Sequence, residues 1–433
     1  MKNFKNLIGL LSIVAVSFTA CKKNEGGSDS FGNRSTSAAD YSQSSLPVVA
    51  VSGDITSSVT WTPGNVYEIS GVVTVRNGAT LTIQAGTYIK ASVNTPGVQN
   101  GVLVIAKDGN INAVGTAADP IVFTSRYLLD GDANTTGKPG DLGGLIVLGN
   151  ATINVGDKLI EGLADQPQFH YGGTNDADNR GTLQYVRIEY AGFQLATNIE
   201  VNGLTLGGVG NGTTIDHVQV SYGLDDGFEF FGGTVSPSNL IALASDDDQF
   251  DFDNGFTGTL SDAVAIADKN STHSTSGGNS DSNGIESDNN APAEDATFSL
   301  TPKTHPTLIN VNIFGTENTS GIAGLGYRNG IRERRGSEVD LIDVIVSGYN
   351  TGIAFDADAP AGVSSISTTS VHGFNNAITT ASGTYVDNGG NSLVVNPTNA
   401  SYFGVSQPWY NTPGSPSTVT LPVWAATWSK LVF

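Results

Sequence analysis

Two short segments of the chain, "DDGFEF" at 225–230 and "DDQFDF" at 247–252, superimpose at a constant offset. Asp226 falls over Asp248, Phe228 over Phe250, Glu229 over Asp251 and Phe230 over Phe252, each pair 22 residues apart. A third copy, "NGIESDN", sets Ile285 and Glu286 where Phe250 and Asp251 stand, 35 residues on, with the extra length taken up by the polar stretch "STHSTSGGNSDS". Short β-branched runs between glycine corners recur on both sides, from "GVVTVRNGATLTIQAGTYIKA" at Gly71 to "VDLIDVIVSGYNTGIAFDA" at Val339. Repeats of 20 to 35 residues built from strands and turns, with almost no helical period, specify a solenoid. The period predicts an all-β, right-handed, single-stranded parallel β-helix with coils about 4.8 Å apart. Side chains alternate along a strand, so Phe228, Phe230, Phe250 and Phe252 point inward while Glu229, Asp251 and Glu286 form an outward column on an outer wall.

That column poses an electrostatic problem. Between Asp225 and Asp295 there are fifteen carboxylates and one base, Lys269. Two ionised groups about 5 Å apart repel by roughly 3 kcal/mol at an effective dielectric of 20, and stacking like charges in register is destabilising. A compensator is required. Calcium takes six to eight oxygens from carboxylates, amides and backbone, and "DFDNG" and "ESDN" offer such oxygens at matched offsets. The candidate metal ligands are Asp225, Asp226, Glu229, Asp248, Asp251, Asp253, Glu286 and Asp288, with an anionic glycan as a partner that calcium would bridge. A second compensator is the arginine group of "GYRNGIRERR", which includes Arg328, Arg332 and Arg334 and pairs with the same acids. The third reading is that Asp and Asn at the coil corners, such as Asp246 and Asp262, satisfy backbone groups and keep the edge soluble.

The formal charge of −21 argues against nucleic acid and anionic lipid as partners. At the N-terminus Lys2 and Lys5 precede an apolar run from Leu7 to Val16, too short to span a bilayer. This is the layout of a secretory signal peptide over residues 1–20. The following "FTAC" resembles the lipobox of bacterial lipoproteins, which implies diacylation of Cys21, the single cysteine. Lys22 and Lys23 are not the aspartate that retains lipoproteins at the inner membrane, so outer-membrane lipid is the expected anchor, on the periplasmic or the cell-surface side. Residues 21–47 read as the lipidated cysteine and a flexible tether of about 30 Å, and 48–433 as the β-helix domain.

The blocks "GATLTIQAGTYIKA", "GGLIVLGNATINV", "YGGTNDADNRGTLQYVRIEYAG" and "VNGLTLGGVGNGTTIDHVQVSYGLDDGFEFFGG" resemble a family of β-helical outer-membrane lipoproteins of Bacteroidetes. The resemblance covers roughly residues 50 to 430 and implies a pectin-lyase-like fold without an established activity. A TonB-dependent receptor is the partner that this context suggests. Where the family places a tryptophan before "GGLIVLGN", this chain has Leu142, so a surface or cap contact is expected to differ there.

"DDGFE" followed by "SDDDQF" also resembles the aspartate signature of polygalacturonases, which implies Asp226, Asp247 and Asp248 as general acid and bases of an inverting hydrolase. The Gly-His-Gly and Arg-Ile-Lys motifs of that family have no counterpart, and "NGIESDN" stands at the place of the first. A calcium-dependent lyase would instead need an arginine or lysine base on the same face. Binding is therefore the leading function and polysaccharide hydrolysis or lysis the alternative. His170, His217, His273, His305 and His372 lie apart, with no zinc-ligand spacing, and His217 reads as an exposed strand residue. Trp409, Tyr410, Trp424 and Trp428 are expected to form a C-terminal cap sealing the last coil.

Overall fold

The computed structural model describes residues 42–93, 100–196, 199–267, 275–276, 279–315, 328–360, 362–381, 385–396, 422–425 and 427–431. Cys21, Trp409, Tyr410, Lys269 and His273 lie outside them. Twenty-five strands form one continuous parallel sheet wound into a solenoid. Three ladders run its length. The first contains Thr80–Gln84, Asn110–Val114, the start of Thr214–Ser221 and Asp340–Ile342. The second contains Tyr88–Ala91, Ile121–Thr124, the end of Thr214–Ser221 and Ser238–Leu243. The third contains Val102–Ile105, Gly144–Leu148, Leu204–Val209, Phe228–Gly233, Phe250–Asp253, Ile285–Ser287 and Asn329–Glu333.

The offsets read from the sequence are the observed register. Phe228 pairs with Phe250, Glu229 with Asp251 and Phe230 with Phe252, and the next coil sets Ile285 beside Phe250 and Glu286 beside Asp251. The phenylalanines stack through the bore. Phe228 and Phe250 have ring centroids 5.1 Å apart, Phe230 and Phe252 5.0 Å, and Phe256 closes against both of the latter at 4.8 and 5.3 Å. Offset stacks of this spacing add to the value of simple burial, and a one-residue slip would send every phenylalanine outward.

A second series fixes the corner between the first and second ladders. Tyr185, His217, Asn239, Asp262, Asn310 and Asp343 all adopt φ between 51° and 56°, one per coil. Asn, Asp and His tolerate this left-handed conformation better than other side chains. Each long strand thus bends at one residue and continues into the next wall. Gly181 opens such a strand at φ 105°, where a Cβ would stand 1.8 Å from the Ile111 carbonyl oxygen; no side chain fits there.

Two walls are apolar on both sides over part of their length, which the repeat pattern alone does not anticipate. Outside the bore, Ile146, Leu148 and Phe231 pack under Ile153, Ile160, Leu163, Phe169 and Tyr171 of an excursion that leaves the third ladder after Leu148. Over the second ladder, Ile241 is buried with Ala425 and Trp428. Trp424 and Trp428 therefore do not seal the last coil as expected. Trp424 and Trp428 cover the side of the middle coils, against His217 and, for Trp428, Tyr185, while Leu393 and Val395 of the last described strand stay exposed. His217 is consequently an enclosed corner residue, not an exposed strand residue, with Nδ1 2.8 Å from Asp216. Leu142 is buried in the main core.

Truncating the centre of the stack should be costly. Phe252→Ala is expected to destabilise the fold by about 3–5 kcal/mol, seen as a lower denaturant midpoint; a change below about 1 kcal/mol would mean that the aromatic column does not set the register.

Candidate metal centre

The site begins with a polar ladder at the corner entering the third wall. Asn202, Asp226, Asp248, Asn283 and Asn329 each stand two residues before an inward-pointing strand residue, and successive members bond along the solenoid axis. The Asp226 backbone N–H donates to Asn202 Oδ1 at 3.2 Å, the Asp248 N–H to Asp226 Oδ1 at 2.8 Å, the Asn283 N–H to Asp248 Oδ1 at 2.5 Å, and Asn329 Nδ2 to Asn283 Oδ1 at 2.8 Å. An amide ladder at a coil corner satisfies backbone donors. Here its second and third rungs are carboxylates, so they bring charge where the corner needs only an acceptor. Asn202, Asn283 and Asn329 escaped attention in the sequence because they are uncharged, although they share the 24, 22, 35 and 46-residue offsets of the inward positions.

Next to this ladder, on the outward side of the third wall, lies the column Glu229, Asp251, Glu286, continued in register by Arg332. The column exists, but it is not an exposed outer surface. Glu229 and Glu286 are each only 6% exposed and Asp251 is half-buried. The cover beside it comes from the excursion over this wall: Lys158 reaches Glu294 at 2.5 Å and Asn254 Oδ1 at 2.8 Å, the Tyr171 hydroxyl donates to Asn254 Oδ1 at 2.9 Å, and the Glu161 charge acts on Glu229.

Corner and column together make three carboxylate triads whose facing oxygens lie within 4.8 Å of one another: Asp225, Asp226 and Asp247; Asp226, Glu229 and Asp251; Asp248, Asp251 and Glu286. Asp226 and Asp251 are each shared by two. Of the expected ligands, Asp253 and Asp288 fall outside these triads. Asp253 Oδ1 accepts from the Asn254 backbone N–H at 2.5 Å, and Asp288 pairs with Arg334 at 2.7 Å and Arg335 at 2.6 Å. Asp226 and Asp247 share one triad, while Asp248 faces the following coil and belongs to another. Such triads can hold a metal ion.

Compensation is uneven along the column. At its lower end Glu286 pairs with Arg332 at 3.3 Å and with Arg334, and Asp281 pairs with Arg332 at 2.7 Å and with the more exposed Arg328 at 3.6 Å. Both readings of the arginines, as partners of the acids and as neighbours of the same face, thus meet in one network. At the upper end, among the described residues, no lysine or arginine forms an ion pair with Asp226, Glu229, Asp248 or Asp251. Asn202 Nδ2 donates to Glu229 Oε2, and Asp251 Oδ1 is shut off from solvent with no hydrogen-bond partner.

Burial is the main force on the protonation of these acids. It lifts Asp226, Glu229, Asp248 and Asp251 well above the ordinary carboxylate range, and the neighbouring carboxylates push in the same direction. Asp253 is raised to about 7 and Glu286 to about 8, in both cases by burial first, with Lys158 and Arg334 respectively opposing it. Burial thus favours the protonated forms of these acids in the metal-free fold.

Residues 53–429 match the model of the pectate-lyase-like β-helix domain. The chain belongs to that family. Among solved structures it is similar to tailspike protein 2 of the Escherichia coli O157:H7 bacteriophage CAB120, at 13% identity over 79% of this chain with a TM-score of 0.31. The catalytic domain of a GH87 α-1,3-glucanase in complex with nigerose matches at 13% identity over 80% of this chain and 69% of its own, with a TM-score of 0.30. The chain spans about two fifths of the tailspike's length, 38%. No curated protein matches the chain in sequence.

The protonation state gives a signed prediction. From about pH 4.5 the folded form retains a proton on Asp253 up to about 7 and on Glu286 up to about 8, both of which the unfolded chain, with ordinary carboxyl values near 4, has released. Unfolding then releases protons, so metal-free stability should fall as pH rises across this window. Thermal melts in chelator at pH 5 and pH 8 should show the lower melting temperature at pH 8; a flat or rising profile contradicts the arrangement.

Proposed function

We propose that this β-helix protein binds a divalent cation, calcium, at the upper end of its acidic column, in the triad of Asp226, Glu229 and Asp251. The supporting observations are that Asp251 Oδ1 is buried without a hydrogen-bond partner and that the Asp251 carboxylate offers an oxygen within 4.8 Å of oxygens of the buried Asp226 and Glu229. An unpaired buried charge is costly, and a hard cation with oxygen ligands is the chemistry that relieves it. The lower triad already has its counter-charge in Arg332 and Arg334, so a single strong site is expected. Asp225 and Asp247 are less enclosed than Asp226, and the triad these three form is where an anionic glycan would share the ion. Anchoring of Cys21 in the outer membrane, with a TonB-dependent receptor as partner, extends the reading to the cell envelope and rests on the N-terminal and family resemblances.

A second reading, hydrolysis or lysis of a polysaccharide, is favoured by one feature: Asp226, whose pKa burial raises in the direction a general acid needs, lies beside Asp247 on the next coil. Against it stand the burial of Asp226 and Asp248 and the placement of Asp248 in a different triad. Turnover of pectic or glucan oligosaccharides that disappears in Asp226→Asn and Asp247→Asn would decide for the enzyme; calcium-dependent retention without product decides for binding.

The cation itself is tested by calorimetry and thermal melts. Calcium at 100 times its dissociation constant should stabilise the protein by about 2.7 kcal/mol, with one equivalent bound and protons released. Asp251→Asn should weaken binding at least tenfold. No heat of binding and no shift in melting temperature would refute the site. In Arg334→Gln, which strips the lower triad of a counter-charge, calcium binding should rise above one equivalent, while Arg334→Lys should keep it at one.

A further inference from the structure

The C-terminal segment lies on the second wall without belonging to it. Among the described residues, 422–431 form no strand pairing with any coil, only one turn of 3-10 helix at Val423–Ala425. Its attachment is made of side-chain recognition. Trp428, 2% exposed, and Ala425, fully buried, close over Ile241. Trp428 meets Tyr185 edge-on at 6.0 Å and His217 at 5.6 Å, and Trp424 meets His217 at 6.1 Å.

Polar groups on the wall read the backbone that follows. Gln219, fully buried on the outward side of its strand, accepts the Lys430 N–H at 2.8 Å and donates to the Lys430 carbonyl at 2.7 Å. A side-chain amide that takes both backbone groups of one residue recognises an extended peptide whatever its side chain. Glu189, buried and bonded by the Thr124 hydroxyl at 2.7 Å, receives the Lys430 ammonium at 3.9 Å. These are the parts of a peptide site: an apolar seat, aromatic walls, a backbone reader and an acid for a basic side chain.

We propose that the wall around Tyr185, His217, Gln219, Ile241 and Glu189 is a peptide-binding groove, and that residues 422–431 are its resident occupant, a strap that can leave without opening a single strand ladder. The groove takes peptides that set two tryptophans four residues apart around one helical turn, with a basic residue two places after the second, the pattern of Trp424, Trp428 and Lys430. While the strap is seated, the groove is closed to other chains.

The test uses the full chain and a fluorescent peptide with the sequence of residues 420–433. Trp428→Ala removes the strap's main anchor from the strap and leaves the wall intact, so the labelled peptide should bind this variant saturably and at least tenfold more tightly than it binds the wild-type chain. Adding Gln219→Ala to Trp428→Ala should abolish the gain. Absence of saturable binding to the Trp428→Ala chain, or equal binding with and without Gln219, overturns the proposal. Independently of that variant's folding, a protease site introduced between residues 405 and 415 frees the strap from an otherwise wild-type chain. The labelled peptide should then replace the cleaved fragment; a fragment that never exchanges also overturns it.

Discussion

The aromatic stack in the bore is the constraint from which the rest of the molecule follows. Four phenylalanines on consecutive coils, with Phe256 beside them, leave the strands Phe228–Gly233 and Phe250–Asp253 one register in which all can be buried. The residues between them have no choice of side. Glu229 and Asp251 are carried outward and brought one above the other by packing that takes no account of their charge. The apolar register thus enforces an electrostatic conflict, and the remaining structure around the third wall can be understood as its partial resolution.

That resolution has three parts. The corner ladder supplies donors to three of the acids: Asn202 Nδ2 to Glu229, and the backbone N–H groups of Asp248 and Asn283 to the carboxylates of Asp226 and Asp248. Arginines on the coil below neutralise Glu286 and Asp288. Burial raises the pKa values of the acids at the upper end and so favours their uncharged forms. The first two are built into the sequence, and the third would give way to a cation at the proposed site. Exchange of protons for a metal ion couples the site to pH and to folding. Burial of Glu229 and Glu286 places these acids in a low-dielectric setting, which strengthens every charge interaction among them.

Much of this was legible in the residues. The 22 and 35-residue offsets gave the register of the third ladder, because identical spacing of inward aromatics admits a single alignment, and strand alternation gave the side on which the acids stand. Arginines of "RERR" near the acids were also visible as one possible compensator. Burial of the column was not visible, since its cover is an irregular stretch around Lys158 and Tyr171 that carries no repeat and approaches from a point far earlier in the chain. The division into a compensated and an uncompensated end depends on which rotamers Arg332 and Arg334 adopt, and composition is silent on that. The tryptophans signalled an apolar surface in need of cover. They did not say which one, and the doubly apolar second wall, with Ile241 and Val264 facing outward, was the one they served.

The central claim is that forced stacking of acids leaves one cation-sized vacancy in charge at Asp226, Glu229 and Asp251. Anomalous diffraction from crystals grown with a heavier calcium substitute, such as terbium, locates bound cations directly. The account predicts one dominant peak coordinated by oxygens of these three residues, at the 2.3–2.6 Å typical of calcium-like ions. Peaks confined to other parts of the surface, with this triad empty at saturating ion, would contradict it.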